Sequence, residues 1–155
     1  MSFDEIEEIS RQCKAELEIF VHGALCMCVS GQCYLSAVLG GRSGNRGLCA
    51  QPCRLPFTAA GGTGNDLSLK DLSLIEYLKK LSDAGIASFK IEGRMKRPEY
   101  VAAAVESCKS ALEDNYDFDR RERLRSVFSR SGFTDGYFTG HRGKEMFGKR
   151  EKDDV

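Results

Sequence analysis

Ile6, Ile9 and Cys13 recur at intervals of three and four residues across positions 4–14, which predicts a helix with one apolar stripe and an acidic outer face. Cys13 falls on the stripe and is expected as a small buried hydrophobe. Over residues 17–22 the period changes to two, with Leu17, Ile19 and Val21 alternating with Glu18, Phe20 and His22; this is a strand, and Gly23 stops it. Residues 24–66 follow neither period, apart from a short turn of helix at 34–39, and are dense in glycine. Structureless stretches beyond about 12–15 residues are uncommon inside a compact domain unless they serve a function. Order returns at Ser68, which with Asp71 has the spacing of a capping box and predicts a helix carrying Leu72, Ile75, Leu78 and Leu81 up to a left-handed stop at Gly85. Residues 86–91 then read as a second strand. Pro98 suits the first position of a further helix, whose apolar face is expected to comprise Val101, Ala104, Val105, Cys108, Ala111 and Leu112, with Cys108 in the core. A short basic helix at 120–130 carries Leu124, Val127 and Phe128. An aromatic strand or arm at 132–140 and a frayed, charged tail at 141–155 complete the chain.

Helix, strand, long loop, helix, strand, helix is an α/β order, and strands connected through helices are expected to run parallel. Two strands do not make a stable parallel sheet, which needs neighbours and helices on both faces, so the chain reads as part of something larger. With 155 residues, 30% of them charged, and a formal net charge of zero, it has no apolar run long enough to span a membrane and no global attraction for nucleic acid. The acidic first residues do not resemble a secretion signal, which points to a soluble cytoplasmic protein. In a reducing compartment, seven cysteines suit metal ligation, redox chemistry or core packing better than disulfides.

Five of those cysteines lie between residues 18 and 54. Cys26, Cys33, Cys49 and Cys53 follow the pattern C-x6-C-x15-C-x3-C, with Cys28 as a fifth nearby thiol. Four thiolates from one loop suit a four-iron, four-sulfur cluster or a tetrahedral zinc ion, since both take soft, deprotonated ligands. Only the last pair has the tight spacing of a zinc knuckle, and Pro52 beside Cys53 leans the same way, towards a cluster. An unligated or disulfide-bonded loop is the remaining reading. Glycines 23, 31, 40, 41, 44 and 47 let the backbone approach the metal and donate N–H groups to sulfur.

These residues carry a resemblance. Glu18, Phe20, Gly23-Ala24-Leu25-Cys26, Gly31, Cys33 and Leu35-Ser36 resemble the signature of the peptidase U32 family, the collagenase-like proteins. Gly41-Arg42-Ser43-Gly44-Asn45-Arg46-Gly47 with Cys49-Ala50-Gln51-Pro52-Cys53-Arg54, and Ser88-Phe89-Lys90-Ile91-Glu92-Gly93-Arg94-Met95-Lys96, resemble its later blocks. The resemblance implies the C-terminal portion of a TIM-barrel-like (β/α)8 domain over residues 1–118, with an inserted cysteine-rich loop at 24–66. Residues 119–155 would begin a C-terminal extension. It further implies a 4Fe-4S cluster on Cys26, Cys33, Cys49 and Cys53. A whole barrel takes about 250 residues, so the missing N-terminal barrel portion, or a partner chain supplying it, is expected elsewhere.

Family members are described either as collagen-degrading peptidases or as oxygen-independent hydroxylases of transfer RNA, ribosomal RNA or ubiquinone precursors. This chain has no Gly-x-Ser-x-Gly, no His-Glu-x-x-His and only two histidines, which favours redox chemistry over hydrolysis. A collagenase-like metal-dependent peptidase and an inactive fragment with a structural metal loop are the alternatives. His22 and Glu92 each end a strand, where active sites of such barrels are built, and are the candidate catalytic residues; the bland alternatives are a backbone-satisfied histidine and an internal ion pair. Arg42, Arg46, Arg54, Arg94 and Lys96 are candidates for holding an anionic substrate, carboxylate or RNA phosphate, and the arginines around the thiols equally suit charge compensation of a cluster. The basic tail from His141 could also touch nucleic acid, although a solvated terminus is its simpler reading.

Overall fold

A computed structural model describes residues 1–149 apart from positions 30, 63, 94, 95, 116, 129 and 130. The first helix, α1 (Phe3–Gln12), starts at a reciprocal cap in which Ser2 Oγ accepts from the Glu5 N–H and the Glu5 carboxylate accepts from the Ser2 N–H. Ile6 enters the core, while Cys13 is exposed, correcting its expected burial. The helix ends at Gln12, and Cys13 turns to an extended conformation, which takes it off the stripe.

Strand β1 (Glu18–Gly23) pairs in parallel with β3 (Ser88–Ile91), setting Ile19 beside Phe89 and His22 beside Ile91. These are the two strands expected from the sequence, and the chain is α/β as expected. Two short strands extend the sheet. β2 (Asp71–Ser73) lies antiparallel to β1, and β4 (Phe133–Thr134) lies parallel to β2, giving the order β3-β1-β2-β4. Since TIM-barrel strands are all parallel, β2 stands outside any such unit.

The expected cap at Ser68 and Asp71 does not form. Both residues are buried, Asp71 opens β2, and the helix α3 (Leu78–Asp83) starts only after a 3-10 turn at Ile75–Tyr77. Tertiary pairing overrides the local signal here: Leu72 is matched with Gly23 and Thr134 on either side, and the Lys70 N–H donates to the Met146 carbonyl at 2.7 Å. Leu72, Ile75, Leu78 and Leu81 still reach the core. Gly85, at φ +86°, supplies the left-handed residue that turns α3 into β3.

Helix α4 (Pro98–Leu112) begins on its proline as expected, but its buried face is rotated. Tyr100, Ala103, Ala104, Ser107 and Ser110 are buried, whereas Val101, Val105 and Leu112 are 40%, 52% and 42% exposed. The helix thus packs inward through small residues and turns bulky aliphatic ones outward. Cys108 is half-buried against the core, and burial pushes its thiol up to about 11. Helices α5 (Phe118–Phe128) and α6 (Gly136–Thr139) add Leu124 and Phe138 to the same core, with Phe138 edge-on to Phe3 at 5.6 Å. The expected frayed tail is corrected over 141–149. Met146 is buried, and the Gly148 N–H donates to the Ser68 carbonyl at 2.9 Å. Positions 150–155 lie outside the described residues. No helix among the described residues is long and apolar enough to cross a membrane.

At the ends of β1 and β3 the backbones nearly touch. A Cβ on Gly23, whose φ is +131°, would lie 2.6 Å from Glu92 Cβ and 2.9 Å from the Glu92 carbonyl oxygen. Gly23→Ala is therefore expected to destabilise the protein by about 2–4 kcal/mol, combining left-handed strain with overpacking. Urea denaturation should show this loss, and a change below about 0.5 kcal/mol would contradict the close approach.

Candidate metal-binding and catalytic site

The pairing of β1 with β3 brings His22 and Glu92 together. The Glu92 N–H donates to the His22 carbonyl at 2.8 Å, and the buried imidazole places Nδ1 2.9 Å from the Tyr100 hydroxyl. That hydroxyl also donates to the Glu92 carbonyl at 3.2 Å, so Tyr100 joins the imidazole to the backbone beyond β3. Phe133 lies edge-on to the imidazole at 5.1 Å. Burial lowers the His22 pKa from 6.5 to about 4, which keeps the ring neutral near pH 7. Sequence reasoning missed Tyr100, the residue that ties these strand ends together. Its available signal was an aromatic in the first turn of a proline-started helix, immediately after the second strand.

Gly23 leads through Ala24 and Leu25 to Cys26, so the strand end sets where the cysteine loop departs. The loop contains helix α2 (Leu35–Gly40) and two 3-10 turns, Gly44–Arg46 and Pro52–Arg54. Small polar contacts close it on itself: Asn45 Nδ2 donates to the Gly31 carbonyl at 3.0 Å, and the Ala50 N–H donates to Ser36 Oγ at 3.0 Å. Two cysteine segments meet at Gly44, where a Cβ would be in ordinary contact with Cys49 Cβ at 3.7 Å and the Cys33 carbonyl at 4.0 Å. Gln51 takes a left-handed turn at φ 56°, and its N–H donates to Cys49 Sγ at 3.3 Å.

All seven thiols are free. Burial raises the Cys53 pKa, opposed by Arg54, and the further groups raising it are Cys26, Cys49 and Cys33. Cys26, Cys33 and Cys49 thus lie within electrostatic reach of Cys53. Among the described residues no three His, Cys, Asp or Glu side chains form a ready single-ion cage. The donor set, four soft thiols with a peptide N–H directed at one sulfur, fits the chemistry of a thiolate-bound iron–sulfur group.

The cationic candidates separate by environment. Arg54 is buried, with its guanidinium donating to the Leu25 carbonyl at 2.6 Å and to the Leu69 carbonyl. It joins the residue before Cys26 to the chain entering β2. Arg42 and Arg46 are exposed on the loop, and Arg42 Nε donates to the Leu48 carbonyl at 2.9 Å. Lys96 is half-buried beyond β3, and Arg94 lies outside the described residues.

This is an α/β chain whose cysteine loop departs from the end of one strand of a parallel pair. The family model described as peptidase family U32 matches residues 1–148, and the chain belongs to that family. A "Collagenase" of Porphyromonas gingivalis is 44% identical over 81% of this chain and 39% of its own length. A 23S rRNA 5-hydroxycytidine synthase of Escherichia coli is 38% identical over 100% of this chain and 25% of its own. "tRNA hydroxylation protein P1" of Bacillus subtilis is 34% identical over 96% of this chain and 40% of its own. The chain thus spans between a quarter and two-fifths of the curated relatives it matches here. No solved structure matches.

Two outcomes test this geometry. Because His22 titrates lower in the folded than in the unfolded chain, its contribution to stability is fully present above pH 6.5 and is lost as pH falls towards about 4, by about 3 kcal/mol in all. Urea midpoints between pH 7.5 and 4.5 should show that loss, and a His22→Gln variant should flatten it. Arg54→Met leaves buried carbonyls without their donor and is expected to cost roughly 3 kcal/mol in the same assay.

Proposed function

We propose that the chain is the cluster-binding part of a cytoplasmic, oxygen-independent hydroxylase acting on transfer or ribosomal RNA. The observation that supports it most is that the loop carrying Cys26, Cys33, Cys49 and Cys53, with the first three within electrostatic reach of Cys53, leaves the sheet at the His22–Glu92 strand ends. These four cysteines would hold a 4Fe-4S cluster. When bound, such a cluster supplies one-electron chemistry that no side chain offers. Neutral, buried His22, held by the Tyr100 hydroxyl, would brace the strand ends from within, and Glu92 would orient the substrate there. Arg42, Arg46, Arg94 and Lys96 would attract the anionic substrate, while Arg54 holds the loop on the sheet.

The relatives named for RNA hydroxylation support this class of reaction, aligning over 96% and 100% of the chain. We also propose that β1 and β3 are two strands of a barrel-type sheet, completed by a segment or partner chain not represented here. The outward aliphatic residues of α4 fit that arrangement. A peptidase reading is favoured by the name of the Porphyromonas gingivalis relative. It is weakened by burial of His22, which removes that imidazole from contact with a scissile peptide.

The test compares nucleosides of transfer and ribosomal RNA from cells with and without the gene. The expected result is loss of a hydroxylated nucleoside on deletion, restored by the wild-type gene and not by Cys49→Ser. Unchanged RNA, together with gelatin cleavage by the purified protein, would replace this reading with the peptidase one.

A further inference from the structure

Carboxylates are absent from one continuous region of the sequence. All 23 Asp and Glu residues lie outside positions 19–65, where the only charged side chains are Arg42, Arg46 and Arg54. In a chain of zero net charge, the cysteine loop is therefore locally positive, and the fold divides its cations. Arg54 is withdrawn into the interior, leaving Arg42 and Arg46 on the surface.

The same loop carries an exposed aromatic residue. Gly31 is bound by the side chain of Asn45, and Gly44 abuts the Cys33 carbonyl, so the segment ending at Tyr34 lies against the turn that carries Arg46. Tyr34 precedes α2, and Arg42 follows its left-handed cap at Gly41. Tyr34 is 67% exposed, and Val38, one turn further along α2, is 80% exposed. An exposed rim cannot enclose a small carboxylic acid, and isolated exposed cations hold one only weakly through water and salt. A polyanion is different, since several phosphate contacts add along one strand, and an exposed ring accepts a base face.

We propose that the rim formed by Tyr34, Arg42 and Arg46 is a single-stranded RNA contact surface, with Arg42 and Arg46 on phosphates and the Tyr34 ring stacked on an unpaired base. It rests on the RNA reading of the site and deepens it by naming the substrate's form: an unpaired segment presented to the four thiols from the side of α2. Cys33 and Cys49 flank this rim in sequence, which brings a bound strand to the thiol group rather than to the opposite edge of the sheet. The exposed Val38, Leu39 and Leu48 provide apolar surface for the sugar and base edges.

The test measures binding of a fluorescein-labelled, single-stranded pyrimidine-rich RNA to the anaerobically purified full chain by anisotropy, across a salt series. Arg42→Gln with Arg46→Gln should weaken binding and reduce the slope of log affinity against log salt by about 1.4, the value for two single-strand phosphate contacts. Tyr34→Ala should lose on the order of tenfold in affinity with the slope unchanged, and Tyr34→Phe should retain it. Lys109→Gln, on the exposed part of α4, is the control and should bind like wild type. Iron is measured on every sample, which separates this proposal from the cluster reading. Rim-dependent RNA binding by an iron-free protein supports the surface and overturns the cluster. Iron-loaded protein that binds no RNA, or binds it equally in all variants, overturns the surface.

Discussion

Glu92 stands where a side chain on Gly23 would go, and the placement of the site depends on that close approach. It allows the ends of β1 and β3 to converge until the Glu92 N–H reaches the His22 carbonyl. The Tyr100 hydroxyl then bridges the His22 ring to the Glu92 backbone, fastening α4 to both strands. Because Cys26 follows Gly23 so closely, the same contact fixes where the cysteine loop leaves the sheet. Arg54 makes the second attachment through the carbonyls of Leu25 and Leu69. Between these anchors a loop with little regular structure is held by turns, by glycine and by hydrogen bonds from Asn45, Ala50 and Gln51.

Electrostatics divides the site into a dry base and a charged rim. His22 is kept neutral by burial, and Arg54 is buried with its donors on backbone oxygen. Arg42 and Arg46, with the same kind of side chain, remain in water. Sequence proximity to the cysteines suggests one role for all three arginines, and burial separates them into a strut and two surface cations. The distinction matters because a buried guanidinium acts through the hydrogen bonds it satisfies, whereas exposed ones act collectively on a polyanion.

Strand 17–22 is legible because alternation and a stopping glycine are local signals, strand 86–91 follows from the glycine that ends the preceding helix, and α4 is legible from its proline. The face of α4 is not. Its aliphatic residues satisfy a helical period, yet the core accepts Ala103, Ala104, Ser107 and Ser110, since only small side chains permit the close approach that also admits Tyr100. Ser68 and Asp71 have capping spacing, but their backbone is claimed by a sheet whose partners come from the far C-terminal residues. Long-range pairing of that kind has no local trace. Of the site, the thiol pattern and the two strand-end residues could be read from sequence, because metal spacing and strand termini are local. Tyr100 and the strut role of Arg54 required tertiary contacts.

The proposed cluster requires one loop to deliver Cys26, Cys33, Cys49 and Cys53 to one iron–sulfur group. Iron and acid-labile sulfide, measured on anaerobically isolated wild-type, Cys28→Ser and Cys49→Ser proteins, test it most directly. Iron and sulfide are expected in equal amounts in the wild type and in Cys28→Ser, and are expected to be lost in Cys49→Ser. Zinc without sulfide, or a metal that depends on Cys28 and survives loss of Cys49, would contradict it.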